Sequence, residues 1–369
     1  MGEKAQAIFE AFVRQVADVR CGPLVIACPP DGAGLAAGEL ARRAFAQAAA
    51  HPPVVIAPGK AEFLVASLLA ERARDAGAGA LLALDLGANA AAILPGMPTL
   101  FIDLHRHEAN LAAPVIEPDS DALARPAGVV LYELLPAACP SRWPSGLEHF
   151  PEPDSLAWLA AIAAEAGHPK TTVPDEWLAG KRGLRRAARE VAVLLNAAGR
   201  ASQPQTSAAL TLLARRHGPE EFLADESPEM QALREARAEV MRESAHWSRT
   251  RPHFMWRVAL VPVASPCRIE PILAAMWERQ LKKYMVVVAN SGYAPGLVTI
   301  VARTASADRN LLRLLDAVAP QGLSGPIALG TRDYVEAVIP RAAWTAMLQR
   351  MRFRQTEKLI PPPQEASLF

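Results

Sequence analysis

Apolar residues in the first hundred or so positions come in short unbroken runs, separated by stretches where they recur every three or four residues. The runs are Pro23 to Cys28, Pro53 to Ala57, Ala80 to Leu84 and Thr99 to Asp103. Each has the length of a strand and too little alternation for one face to be wet, so each is expected to be buried on both sides. The stretches between them, Gly38 to Ala50 and Ala61 to Ala76, have helical composition and spacing. One strand and one helix in every roughly 20 to 30 residues is the rhythm of a parallel sheet with helices on both faces. Ligands of such sheets bind beyond the carboxyl ends of the strands. Three polar clusters fall there: Asp31-Gly32 after the first strand, Asp85 and Gly87 after the third, and Asp103 to His107 after the fourth.

The pattern then changes. Residues 110 to 155 are rich in proline, and only Gly128 to Leu135 is periodic, compatible with a strand or a short helix. Ser155 to Ala166 reads as a helix with Asp154 or Ser155 as its cap. A long helical stretch runs from Glu176 to Ala214, interrupted near Pro204, and another from Pro228 to Ser248. A second α/β set follows, with strands at 257–263, 284–289, 297–303 and 333–339 and helices at 270–282 and 309–319. After Arg354 the chain is polar and proline-rich, which predicts a flexible tail. The expected organisation is an α/β domain over residues 1–175, a helical bridge over 176–250, a smaller mixed-sheet α/β domain over 251–350 and a tail over 351–369.

Composition narrows the function classes. The 369 residues are 51% hydrophobic and 21% charged, enough for two real cores. The longest apolar stretches fall far short of the roughly 20 residues of a bilayer crossing. Glu3, Lys4 and Glu10 break the first apolar stripe, so no secretory signal is expected and the cytoplasm is the default location. Cys21, Cys28, Cys139 and Cys267 form no CxxC pair and read as buried small hydrophobes. A net charge of +1 excludes a globally basic nucleic-acid binder and leaves room for local patches.

The acidic residues after successive strands, a helical bridge and a second, smaller sheet together resemble the plan of the DHH phosphoesterases of the RecJ kind. The resemblance runs from about Pro23 to Met347. Its most specific segment is Leu195-Asn196-Ala197-Ala198-Gly199-Arg200, similar to the NAAGR stretch in the bridging helix of RecJ proteins. By that likeness Arg200 would face the cleft between domains and meet phosphate. Leu329-Gly330-Thr331-Arg332 stands where the family has its GGH motif. There Gly330 would allow close backbone approach to a phosphate, and Arg332 replaces the family histidine. Arg303-Thr304 resembles the family's arginine–serine pair.

Members of this family hydrolyse phosphodiesters with two divalent ions, usually manganese, and RecJ members degrade single-stranded DNA. Such a centre needs carboxylates and imidazoles holding ions roughly 3.5 to 4 Å apart. The resemblance assigns metal-ligand positions to Asp31, Asp85, Asp103 and Glu165, and the catalytic histidine to His105. The motifs are nevertheless depleted. In Cys28-Pro29-Pro30-Asp31-Gly32-Ala33 only Asp31 survives of the family's acidic residues, Pro29 and Ala33 cannot ligate through their side chains, Leu104 stands in place of the first histidine after Asp103, and Glu165 replaces an aspartate. His107 and Glu108 lie close enough in sequence to substitute. This set suits one hard divalent ion, manganese or magnesium, or none.

Other chemistries lack their signatures. The loop Pro30-Asp31-Gly32-Ala33-Gly34 is not a clean GxGxxG, there is no Walker A run, and no GxSxG elbow occurs. Two readings stay open. One is a catalytically weakened or inactive relative that binds nucleic acid, single-stranded DNA foremost, or acts as a scaffold in replication or repair. The other is an active phosphodiesterase on single strands or short oligonucleotides. Gln364-Glu365-Ala366-Ser367-Leu368-Phe369 resembles the peptides by which bacterial replication proteins dock on the sliding clamp, with Gln364, Leu368 and Phe369 as the anchoring residues.

Overall fold

The computed structural model describes residues 2–60, 66–87, 96–103, 113–117, 125–135, 153–167, 175–178, 182–320 and 328–362. The chain forms two compact units, one of residues 1–199 and 205–235, the other of residues 200–204 and 236–369.

The first unit is built on a five-stranded sheet in the order β2-β1-β3-β4-β5, with β1 Leu24–Ala27, β2 Val54–Ile56, β3 Ala80–Leu84, β4 Thr99–Ile102 and β5 Val115–Ile116. Every neighbouring pair is parallel. For β1, β3 and β4 the unbroken apolar runs are explained by burial on both faces, whereas β2, at the edge of the sheet and expected to be buried, has Val54 exposed and Val55 and Ile56 half-buried. Leu24 and Ile26 of β1 enter the larger core with Phe9, Phe12 and Phe45, while the alternate residues Val25 and Ala27 enter a second core with Leu69, Ala73 and Phe101. Helices α1 (Glu3–Asp18), α2 (Gly32–Phe45), α4 (Ala127–Leu134) and α5 (Pro153–Ala166) contribute to the larger core, and α3 (Ala66–Asp75) to the other. The segment at Gly128 is therefore a helix, whose stripe of Val130, Leu131 and Leu134 is fully buried.

Helix α2 begins at Gly32, six residues before the expected start. The cause is Asp31, whose Oδ1 accepts a hydrogen bond from the Gly34 amide at 2.8 Å and caps the helix. Farther along α2, Glu39 is 1% exposed and receives hydrogen bonds from Arg42 and Arg43 at 2.6–2.7 Å. Arg43 also donates to the carbonyls of Leu213 and Arg216 at the end of α7 (Thr206–Arg215) and lies over the Trp158 ring. A charge on α2 thus closes the carboxyl end of a helix far away in sequence. Helix α6 (Arg182–Arg200), the short α8 (Pro219–Leu223) and the first part of α9 (Pro228–Trp247) complete this unit.

The second unit carries a six-stranded sheet in the order β10-β11-β9-β8-β7-β6. Its strands are β6 His253–Met255, β7 Val258–Val263, β8 Met285–Asn290, β9 Leu297–Arg303, β10 Ala328–Gly330 and β11 Tyr334–Pro340. Only β7 and β8 run parallel, joined through α10 (Glu270–Gln280), and the other pairs are antiparallel. Alternate residues again divide between two cores. Leu260, Val287 and Ile300 pack with Trp344 on one side, and Val261, Val288 and Val301 pack with Leu273 and Val240 on the other. Helices α11 (Leu311–Val318) and α12 (Arg341–Arg350) cover the first of these faces.

Two expectations change here. The strand expected from Arg257 is the second arm of a hairpin, with β6 before it and Trp256-Arg257 as the turn. The flexible tail expected after Arg354 does not begin there. Residues Thr356–Leu359 form a 3-10 turn, and Leu359 and Ile360 are 4% and 6% exposed within the core. Arg341 donates to the Ile360 carbonyl at 2.9 Å, and the Ser291 hydroxyl donates to that of Pro361. Two adjacent large aliphatic residues outweigh the polar average of the segment, since each repays the ordering of its own short stretch.

Candidate functional site

In the first unit the strand order reverses direction beside β1, so β1 and β3 flank a topological switch point at the carboxyl edge of the sheet. Asp31 follows β1, Asp85 follows β3 and Asp103 follows β4. The register carries these positions onto one edge: the Asp85 amide donates to the Ile102 carbonyl at 2.9 Å, and the Asp103 amide to that of Ile116 at 3.2 Å. Adjacent strands in a sheet are about 4.8 Å apart, so the backbones of Asp85 and Asp103 are near neighbours.

What each carboxylate does there is specific. Asp31 caps α2. Asp85 sits in the left-handed region at φ 49°, a conformation that costs roughly 1–2 kcal/mol for a residue with a Cβ. From there its Oδ2 accepts from the Ala127 amide at 2.7 Å, at the start of α4. The residue at the cap position of α4 is Pro126, with no side-chain hydrogen bond to offer, and Asp85 supplies that acceptor from the end of β3. Asp103 is 1% exposed. Glu165, on α5, is engaged by Arg189 at 3.0 Å, a pair whose arginine is 66% exposed. Cys28, at the end of β1, is buried, and burial followed by the nearby charge of Asp31 pushes its thiol far above the ordinary range, which makes it a packing residue.

The segment around Asn196 is built into the same turn. Helix α6 continues through Asn196 and Gly199, and the Gly32 amide donates to Asn196 Oδ1 at 3.1 Å. Asn196 Nδ2 reaches the Ala166 carbonyl at the end of α5 at 3.4 Å. A Cβ on Gly199 would lie 1.5 Å from the Pro30 carbonyl oxygen. These two residues lock the first strand–helix turn against α5 and α6.

Among the described residues no group of three or more histidine, cysteine, aspartate or glutamate side chains is arranged to hold a metal ion. Asp31 and Asp85 each give one carboxylate oxygen to a helix cap, and Glu165 faces a guanidinium. By themselves these described carboxylates do not make up a complete divalent-ion centre. His105, His107 and Glu108 lie outside the described residues, as do Gln364, Leu368 and Phe369.

In the second unit, Arg303 donates to Glu278 at 2.9 Å and lies over the Tyr334 ring. Gly330 has φ 145°, and a Cβ there would meet the Tyr334 carbonyl at 2.1 Å, so the turn between β10 and β11 requires glycine. Arg332 donates to the carbonyls of Arg309 and Ala307 and fixes the loop before α11. The Arg200 carbonyl accepts from the Arg268 amide at 2.8 Å.

Near these residues lies a buried polar cluster that the motifs did not point to. Arg268, 5% exposed, pairs with Glu336, which also receives the Tyr334 hydroxyl. Glu270, fully buried at the first turn of α10, accepts from Thr299. Burial raises the Glu270 carboxyl to about 7, partly offset by the Thr299 hydroxyl. Asn290 closes the end of β8, accepting from the Ser265 and Gly292 amides at 2.9 and 3.0 Å and donating to the Cys267 carbonyl at 2.9 Å. The available signal was positional. Arg268 and Glu270 follow the carboxyl end of β7, and Asn290 ends the parallel strand beside it.

No protein-family model and no curated protein matches the sequence. Solved structures do match. Exonuclease RecJ bound to manganese is 19% identical, with 96% of this chain and 95% of that chain covered and a TM-score of 0.62. RecJ from Thermus thermophilus in complex with Mn2+ is 16% identical at a TM-score of 0.64, over 98% of this chain and 55% of that one. CDC45 from Entamoeba histolytica is 9% identical, with 95% and 99% covered, at a TM-score of 0.54. The five-stranded parallel sheet followed by a second, mixed sheet is the RecJ-like DHH fold.

Proposed function

We propose, from the RecJ-like DHH fold, that this chain is a nucleic-acid-binding protein of DNA replication or repair whose hydrolytic centre is weakened or lost. The observation that carries the reading is the employment of Asp31 and Asp85. A carboxylate that caps a helix has lost one of its acceptor directions to the backbone, and Pro29, Ala33 and Leu104 offer no replacement donors. Similar folds have been solved with manganese and with magnesium, and one of them is named an exonuclease. If this chain takes such an ion, Asp31, Asp85, Asp103, Glu165 and His105 are the groups to hold it, with Asp31 and Asp85 each ligating through the oxygen that its cap does not use. In this reading Arg200, Arg303, Gly330 and Arg332 form the phosphate-contacting set, and the Gln364 to Phe369 segment docks on a sliding clamp.

A second reading is an active phosphodiesterase, favoured by the strained backbone of Asp85, since such strain gathers at functional positions. An assay on 5′-labelled single-stranded DNA with manganese separates the two. Binding without cleavage supports the weakened centre, and cleavage that disappears in Asp85→Asn supports the enzyme. Removing residues 364–369 should abolish association with a sliding clamp, and undiminished association discards that partner.

A further inference from the structure

The tip of the β6–β7 hairpin carries an aromatic and basic surface that neither reading uses. Trp256 is 80% exposed and Phe254, two residues earlier, is 51% exposed. Phe254 packs on Tyr284, with ring centroids 5.0 Å apart, and the guanidinium of Arg352 lies over the Trp256 ring at 5.7 Å. Three separate segments meet here, because the Arg257 carbonyl also accepts from the Met285 amide at 2.8 Å.

Trp256 is expensive on two counts. Its indole is left in water, and its backbone has φ 53° at the first position of a two-residue turn. Glycine is the ordinary residue there, and a bulky side chain at positive φ is an outlier. Neither folding nor turn geometry asks for tryptophan at this place. Its strain therefore suggests a function.

The surroundings identify the kind of partner. The chain as a whole is nearly neutral, yet residues 249–257 contain three arginines and no acid, Lys282 and Lys283 precede Tyr284, and Arg354 follows Arg352 two residues on. Arg251, Arg257, Lys282, Lys283, Arg352 and Arg354 are all exposed. Charge on a terminal strand can by itself discourage edge-to-edge pairing. That explanation fails for the exposed tryptophan beside it, which invites association. Flat rings interleaved with cations fit a ligand that offers both flat faces and negative charge, as the bases and phosphates of a single strand do.

We propose that this hairpin is a stacking platform for single-stranded nucleic acid, with Trp256 and Phe254 receiving bases and the flanking arginines and lysines following the phosphates. The inference shares its ligand class with the proposed function but puts the contact on a face that owes nothing to Asp85 or Arg332.

The test measures anisotropy of a fluorescein-labelled oligodeoxythymidylate of about 20 nucleotides with the full chain, Trp256→Gly and Trp256→Phe. Loss of one stacking site predicts about a tenfold weaker affinity for Trp256→Gly and near wild-type affinity for Trp256→Phe. Because glycine accepts φ 53°, Trp256→Gly should melt no lower than the wild type, so lost binding could not be blamed on lost folding. Wild-type binding that Trp256→Gly leaves within twofold overturns the platform and spares the proposed function. A wild type that binds no oligonucleotide removes both. Vesicles of anionic and zwitterionic phospholipid form the last arm. Trp256-dependent binding to them, without oligonucleotide binding, would assign the surface to membranes and overturn the proposal.

Discussion

The Gly32 amide donates to the side chain of Asn196, which lies 164 residues later in the chain, at 3.1 Å. With Gly199 against Pro30, this contact makes α6 a template for the turn that holds Asp31. Gly199→Ala would drive a methyl group into a backbone carbonyl that has no rotamer to yield, so a loss of about 3 kcal/mol or more is expected. Asn196→Ala removes the acceptor for the Gly32 amide and the donor to the Ala166 carbonyl and should cost about 1–2 kcal/mol. Urea midpoints at constant slope measure both. A neutral Gly199→Ala would mean that α6 does not approach the turn this closely.

Asp85 combines an unfavourable backbone with a favourable cap, and the two separate by substitution. Asparagine tolerates the left-handed region and retains an acceptor for the Ala127 amide, so Asp85→Asn should stay within about 1 kcal/mol of wild type. Alanine loses the cap and keeps the strain. Asp85→Ala should cost about 2 kcal/mol, visible as a fall in Tm of several degrees. Equal melting of the two variants would show that the cap contributes nothing.

Glu270 gives the second unit a pH dependence. Its carboxyl titrates near 7 in the folded chain against 4.5 ordinarily, so the folded state holds the proton more tightly than the unfolded state. The associated stability is fully present below about pH 4.5, declines as pH rises and is gone above about 7, a change of up to roughly 3 kcal/mol. Glu270→Gln stays neutral throughout and should flatten the fall in Tm between pH 5 and 8. An unaltered slope would assign the dependence to another group.

Leu359 and Ile360 test whether the chain after Arg354 belongs to the folded unit. Each is buried beside Trp344 and Phe353 in one core, and truncation to alanine should cost about 2–4 kcal/mol apiece. A truly loose tail would tolerate both changes, and thermal melts of the single variants distinguish the outcomes.

The architecture was legible wherever burial dominates. Strands Ala80–Leu84 and Leu297–Arg303 have the expected bounds, because continuous apolar runs leave little choice of register or end. The start of α2 was displaced by one hydrogen bond from Asp31, which hydrophobic spacing does not encode. Leu359 and Ile360 were hidden by a polar, proline-rich average around two residues that pack. At the candidate site, Asp31, Asp85 and Asp103 were placed on one edge of a parallel sheet by strand order, and their backbones follow that order. The employment of Asp85 as a cap was not legible, since that cap depends on a helix start, at Ala127, that lies 42 residues away. The cluster of Arg268, Glu270, Asn290 and Glu336 escaped for a related reason. Its members come from separated elements and carry no common motif.

The anchoring of Pro361 to Ser291 sets a leash length. A chain spans at most about 3.3–3.6 Å per residue, so Phe369 cannot lie farther than about 29 Å from Pro361 in any conformation. If the proposed docking of Leu368 and Phe369 on a sliding clamp holds, the clamp must come within that radius of Pro361. Docking there would be close-range, leaving this unit little freedom to roam from its partner's surface.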